Sequence, residues 1–212
     1  AEVVSLYEDA DGHFPNHVPN PHVIEGLESL IAGVKRHEAD FGLAFSGDGQ
    51  RLGIVDSDRS IISTDDVLSI FAMHAAGNYQ RHNGSEGQAS VVLDRKSLQS
   101  LRDRLEGDDV KVHLSQVGFA HIRNQAIAGR AAFAGETYSQ YMFRDGFFAM
   151  DAIFAAATFL KIMYQVDERI ESESITPIKP LRPMQLVGEK YNSIPEVRIP
   201  YTFGANTAHV ST

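Results

Sequence analysis

Apolar and polar positions change period repeatedly along the chain, and those changes mark its elements. The opening run AEVVSLYED reads as a strand. In HVIEGLESLIAGVKRH, residues Ile24, Leu27, Leu30, Ile31 and Val34 recur at helical spacing. ADFGLAFS and RLGIVDS are short and apolar, as strands are, and SGDGQR between them is a glycine-bearing turn. STDDVLSIFAMHAAG predicts a helix opened by a Ser/Asp cap and closed near Gly77. The polar run NYQRHNGSEGQ then reads as a linker.

A second alternation follows. Strand ASVVLD, helix RKSLQSLRDRLEG, strand VKVHL, turn SQVG, helix FAHIRNQAI and strand AAFA lead into a long helix around Asp151 to Gln165. Alternation of this kind predicts an α/β fold: two consecutive three-layer α/β domains with mainly parallel, mixed sheets. The expected domains are residues 1–80 and 86–166, followed by a C-terminal extension or arm over 167–212. There the pattern weakens into the charged, then proline-rich DERIESESITPIKPLRPM.

Composition narrows the classes. The chain has 212 residues, is 43% hydrophobic and carries a net charge of -9. That balance, with its basic residues scattered, argues against a nucleic-acid partner, which needs clustered Lys and Arg. The absence of cysteine excludes thiol catalysis, disulfides and zinc–thiolate sites. GFFAMDAIFAAATFLKIM is interrupted by Asp151, so no membrane span is expected, and the protein is expected in a cytoplasm or an organelle matrix.

Candidate chemistry is sparse. His13, His17 and His22 lie close together, but their spacing is neither that of a helix face nor that of a zinc site, and His17 is expected to bond backbone within its own loop. Asp48 and Glu136 could form an acid/base pair across a cleft, although a solvated carboxylate and a locally bonded one is the simpler reading. Asp151 is placed to favour the positive end of the helix it precedes.

DGHFPNHVPNP followed by a helix and then ADFGLAFSGDGQRLGIVD resembles the second domain of the α-D-phosphohexomutases, the phosphomannomutase and phosphoglucomutase enzymes. SQVGFAHIRN and FAGETYSQYMFRDGFFAMDAIFAAATFLKIM resemble their third domain. The resemblance implies a phosphoryl transfer between two hydroxyls of a hexose in a chain of four domains. In such a chain a phosphoserine, a Mg²⁺ loop, a sugar loop and a phosphate loop come from successive domains. Neither the Ser-His-Asn-Pro nor the Arg-Ser-Gly-Thr run of the outer two is present.

Within the matched part the motifs are degenerate. The family's D-G-D-A-D-R metal loop stands here at residues 46–51, with Ser46 and Gln50 in place of ligands, Asp48 kept as a vestigial one and Arg51 retained. A hard cation that holds its waters tightly needs those carboxylates, so the ancestral Mg²⁺ is expected to be lost and no cofactor is expected. The lysine of a T-K-x-G turn is replaced by Gln116. The sugar loop at residues 135–140 keeps Glu136, but Tyr138 brings a bulky ring and Gln140 stands where a histidine falls. No catalytic residue is assigned, and Glu136 with Arg51 is the expected substrate-binding pair. The leading expectation is a catalytically inactive phosphohexomutase-like protein kept as a structural or interaction subunit, with protein partners or self-association. The alternatives are a segment of a working mutase, or a weak, metal-independent sugar-phosphate binding module.

Overall fold

The computed structural model of the chain describes residues 2–83 and 88–173. A hairpin of β1 (Phe41–Phe45) and β2 (Leu52–Asp56) forms the first sheet, antiparallel, with Leu43 opposite Ile54. Helix α1 (Glu28–His37), entered through a 3-10 turn at Ile24–Gly26, covers one face of it. Gly42 makes that approach possible, because a Cβ there would stand 2.7 Å from the Leu30 side chain. Lys35 and Arg36 put positive charge at the negative end of α1, which stops at Glu38 in a left-handed conformation (φ 50°).

The second sheet has the order β4-β3-β5-β6. Strand β3 (Ser90–Asp94) runs parallel to β4 (Lys111–Ser115) and to β5 (Phe133–Glu136), and β6 (Gln140–Phe143) returns antiparallel to β5. Parallel neighbours need long crossovers, which α3 (Gln99–Gly107) and α4 (Phe119–Ala128) supply. Successive side chains point to opposite faces. Val92, Ala134 and Met142 therefore meet Ile122 and Ala126 of α4 in a small core. Val91, Leu93 and Phe133 enter a larger one.

That larger core joins the two sheets. Leu52 and Ile54 of the hairpin share it with Val67, Leu68 and Phe71 of α2 (Thr64–Asn83) and with Phe159 of α5 (Ala152–Glu173). Phe71 is fully buried, its ring centroid 5.0 Å from Tyr141, 5.1 Å from Phe143 and 6.3 Å from Phe133. Phe41 of β1 meets Phe159 edge-on at 5.2 Å, which seats α5 on the hairpin face opposite α1. Gly135 lets α2 lie directly on β5, since a Cβ there would fall 2.3 Å from the Leu68 side chain.

The α/β architecture with mixed sheets is as expected from the sequence; three elements differ. AEVVSLYED is not a strand: Val3 and Val4 are 80% and 49% exposed. No strand of the described residues lies beside it to complete its backbone bonds. Leu6 instead rests on Gly33 of α1, and the Tyr7 hydroxyl donates to Ser29 Oγ at 2.8 Å. Helix α2 does not close near Gly77 but continues to Asn83, so half of the expected linker is helical. Gly77 has open space around its missing Cβ, and one such residue costs a helix only about 1 kcal/mol. Strand β6 was not expected. The C-terminal arm assigned to 167–212 lies outside the described residues beyond Glu173.

Truncating the ring that joins the two sheets should be costly. Phe71→Ala is expected to lower unfolding free energy by about 3–5 kcal/mol in urea denaturation, and a loss under about 1 kcal/mol would mean that the shared core does not bind the halves.

Candidate functional site

The loop of residues 46–51 is closed mainly by its own hydroxyl. Ser46, 6% exposed, donates from Oγ to Asp48 Oδ1 at 2.5 Å and accepts from the backbone N–H of Arg51 at 3.0 Å and of Gln50 at 3.2 Å. Asp48 Oδ1 also accepts from Gln50 N–H at 3.2 Å. Gly49 sits at φ 66° and donates to the Ser46 carbonyl at 2.8 Å, a left-handed turn that glycine enters freely. From outside, Gly47 N–H donates to the Pro19 carbonyl at 3.0 Å, and Ala152 N–H at the start of α5 donates to the Gly49 carbonyl at 2.9 Å. The FPNHVPNP segment thus forms the floor of this loop, with Phe14 packed against Gly47. The Ser46 hydrogen bond is the main reason that the exposed Asp48 carboxyl titrates below its ordinary value.

The second loop is the turn of the β5–β6 hairpin. Glu136 and Gln140 are opposite each other in register, leaving Thr137, Tyr138 and Ser139 as a three-residue connection. Ser139 carries the left-handed conformation (φ 63°) that such connections need at their last position. Asp94 at the end of β3 anchors the loop. It is fully buried, and its Oδ2 accepts from both Thr137 N–H and Thr137 Oγ1 at 2.8 Å. Its Oδ1 accepts from the N–H groups of Lys96 and Ser97 at 2.8 and 2.9 Å. Lys96 then reaches back, donating from Nζ to the Tyr138 hydroxyl at 2.7 Å, and His22 lies against the Tyr138 ring with centroids 5.5 Å apart.

Glu136 draws the loops together. It is 3% exposed, and its Oε1 accepts from the N–H of Gly118 at 3.2 Å, which ties it to the 115–118 turn that carries Gln116. Gly118 holds φ 118°, a conformation open to glycine. Burial pushes the Glu136 carboxyl above its ordinary value and the neighbouring Asp94 adds to this, while the Gly118 hydrogen bond and the Arg51 guanidinium pull it back. Arg51 lowers Asp48 as well, so one cation acts on both candidate carboxylates.

The remaining candidates separate. His13 Nδ1 pairs with Asp11 at 2.9 Å, and His17 Nδ1 bonds the Val18 carbonyl at 2.9 Å inside its own loop. His22 Nδ1 faces Ser139 Oγ at 3.4 Å, so the three imidazoles do not converge. Among the described residues no group of three or more His, Asp or Glu side chains is placed to hold a metal ion, and no helix is long and apolar enough to cross a membrane. Asp151 caps α5, accepting from Ile153 and Phe154 N–H at 3.0 and 2.9 Å. Lys96 and Asp94 were missed in the sequence. The available signal was LDRKS at a strand end, where a carboxylate caps the next turn and carries a cation with it.

Two loops, one from a hairpin and one from a mixed sheet, with one arginine acting on the carboxylates of both, make up the candidate site of this α/β chain. The chain belongs to the phosphoglucomutase/phosphomannomutase family: the alpha/beta/alpha domain II model matches residues 1–59 and the domain III model residues 63–176. It is 36% identical over 174 residues to a phosphomannomutase/phosphoglucomutase of Pseudomonas aeruginosa, covering 82% of this chain and 36% of that protein. A phosphoglucomutase of Neisseria gonorrhoeae is 34% identical over 171 residues, with 80% and 36% covered. The solved structure of a phosphoglucomutase/phosphomannomutase family protein from Burkholderia thailandensis superposes with a TM-score of 0.69 at 30% identity, over 77% of this chain and 34% of that one. The chain thus spans about a third of the length of the relatives it matches.

The buried carboxylates give the site a signature in acid. A glutamate whose folded value is raised above 4.5 destabilises the folded state when charged, so stability rises as pH falls from neutrality through the folded value toward 4.5. Asp65, also raised by burial, acts in the same sense, whereas Asp48 acts oppositely and only below 3.8. Glu136→Gln is expected to be more stable than the parent at neutral pH and to show a smaller gain on mild acidification. Lower stability at neutral pH with an unchanged pH slope would contradict this.

Proposed function

We propose that this chain is the domain II and III segment of a phosphohexomutase-type protein, presenting the face that meets a hexose phosphate. The observation that carries the reading is the consecutive match to both domains, with relatives that are themselves phosphomannomutases and phosphoglucomutases. On that face Arg51 and Lys96 supply positive charge and Glu136 and Thr137 supply groups that bond hydroxyls. The Asp48 loop does not fit Mg²⁺: its one carboxylate already takes two hydrogen bonds through a single oxygen, and its other polar side chains are a hydroxyl, an amide and the Arg51 guanidinium, which is itself a cation. Binding on this reading rests on the side chains alone, without metal.

A second reading, a non-catalytic member of the family serving as a building block with protein partners or a second copy, is favoured by that same loop. It is closed on itself by Ser46 and holds a single carboxylate, Asp48. Conversion of glucose 1-phosphate by this chain with Mg²⁺ would contradict it.

The first reading is tested by titrating the chain with glucose 6-phosphate and following backbone amide resonances. Saturable shifts are expected at Arg51, Lys96 and Thr137, and Arg51→Ala should weaken binding about tenfold, as loss of one charge-assisted hydrogen bond does. Shifts absent from that face, or unchanged by Arg51→Ala, would count against it.

A further inference from the structure

Beside the Tyr138 loop, a cavity of about 160 Å³ opens between residues 21–27, the β2–α2 connection and the β5–β6 hairpin. Its floor is apolar and closed, made of Leu27, Ile54 and Val67, each no more than 1% exposed. Its mouth is apolar too: Ile24 and Ile61 line it and remain 64% and 38% exposed. At one end the wall becomes polar. The buried Tyr141 lines this end together with Thr64 and Ser139. Thr64 Oγ1 and Ser139 Oγ stand 3.1 Å apart, with His22 Nδ1 at 3.4 Å from the latter.

Ile24 and Ile61 carry the apolar lining out to the entrance, so a ligand seated there removes their apolar surface from water. A cavity of about 150 Å³ lined by aliphatic residues is known to take benzene, so this volume suits a single ring. The hydroxyl group of such a ligand would find partners at the Thr64–Ser139 end, where His22 also lies. We propose that the cavity is a binding site for a small, largely apolar molecule bearing one hydroxyl, of the size of phenol. Ser139 closes the three-residue loop that carries Tyr138, and its carbonyl accepts from Leu52 N–H at 3.1 Å. A ligand engaging the Ser139 hydroxyl therefore acts on the hairpin loop from behind.

The test is a titration of the whole chain with phenol and, in parallel, toluene, read by methyl resonances of Ile24, Ile61 and Thr64 and by a change at Tyr138. Saturable shifts confined to these positions are expected, with phenol bound about fivefold more tightly than toluene, the ratio one hydrogen bond supplies. Ile61→Trp should fill the mouth and abolish both, and Ile24→Trp repeats the block from the other rim. Thr64→Val should bring phenol down to the toluene value. Shifts that do not saturate, that scatter over the surface, or that survive both tryptophan variants would overturn the proposal. So would equal affinity for phenol and toluene in the parent chain. None of these outcomes depends on hexose phosphate binding.

Discussion

The hydrogen bond from Leu52 N–H to the Ser139 carbonyl is the constraint on which this arrangement turns. It joins the first residue of β2 to the last loop residue of the β5–β6 hairpin, elements that belong to different sheets. With Phe71 and Leu52 in one buried cluster, that bond fixes the 46–51 loop of one hairpin beside the 137–139 loop of the other. Arg51 lies next to Leu52 in the chain, so the same contact holds its backbone near the β5–β6 hairpin that carries Glu136.

Each loop is held by hydrogen bonds within itself and to its near neighbours. In the first, a seryl hydroxyl accepts two backbone N–H groups and donates to the single aspartate. In the second, Asp94 is spent on four donors of its own neighbourhood, and Tyr138 is braced by Lys96 and His22. A loop satisfied in this way keeps its conformation without a ligand, because no buried polar group is left to drive one into place.

Much of this was legible in the sequence. The helical spacing of Leu27, Leu30 and Val34, the two hairpin strands and the family motifs placed the fold and both loops. Strand β6 escaped because its turn lacks the usual glycine: Ser139 takes the left-handed position, and QYMF is too short to show a period. The end of α2 escaped because Gly77 reads as a stop although nothing crowds it. AEVVSLYED misled because β-forming residues become a strand only beside a partner edge. Within the site, Asp48, Glu136 and Arg51 came from motif positions, but Asp94 and Lys96 did not, since their role arises from a turn reaching across to another strand.

The 46–51 loop is expected to hold its shape through Ser46 and without a cation. Amide hydrogen exchange at Gln50 and Arg51, whose N–H groups both bond Ser46 Oγ, tests it directly when followed in the presence of Mg²⁺ and then of a chelator. Equal protection in the two conditions is the predicted result. Slower exchange at these two amides with Mg²⁺, reversed by the chelator, would contradict it.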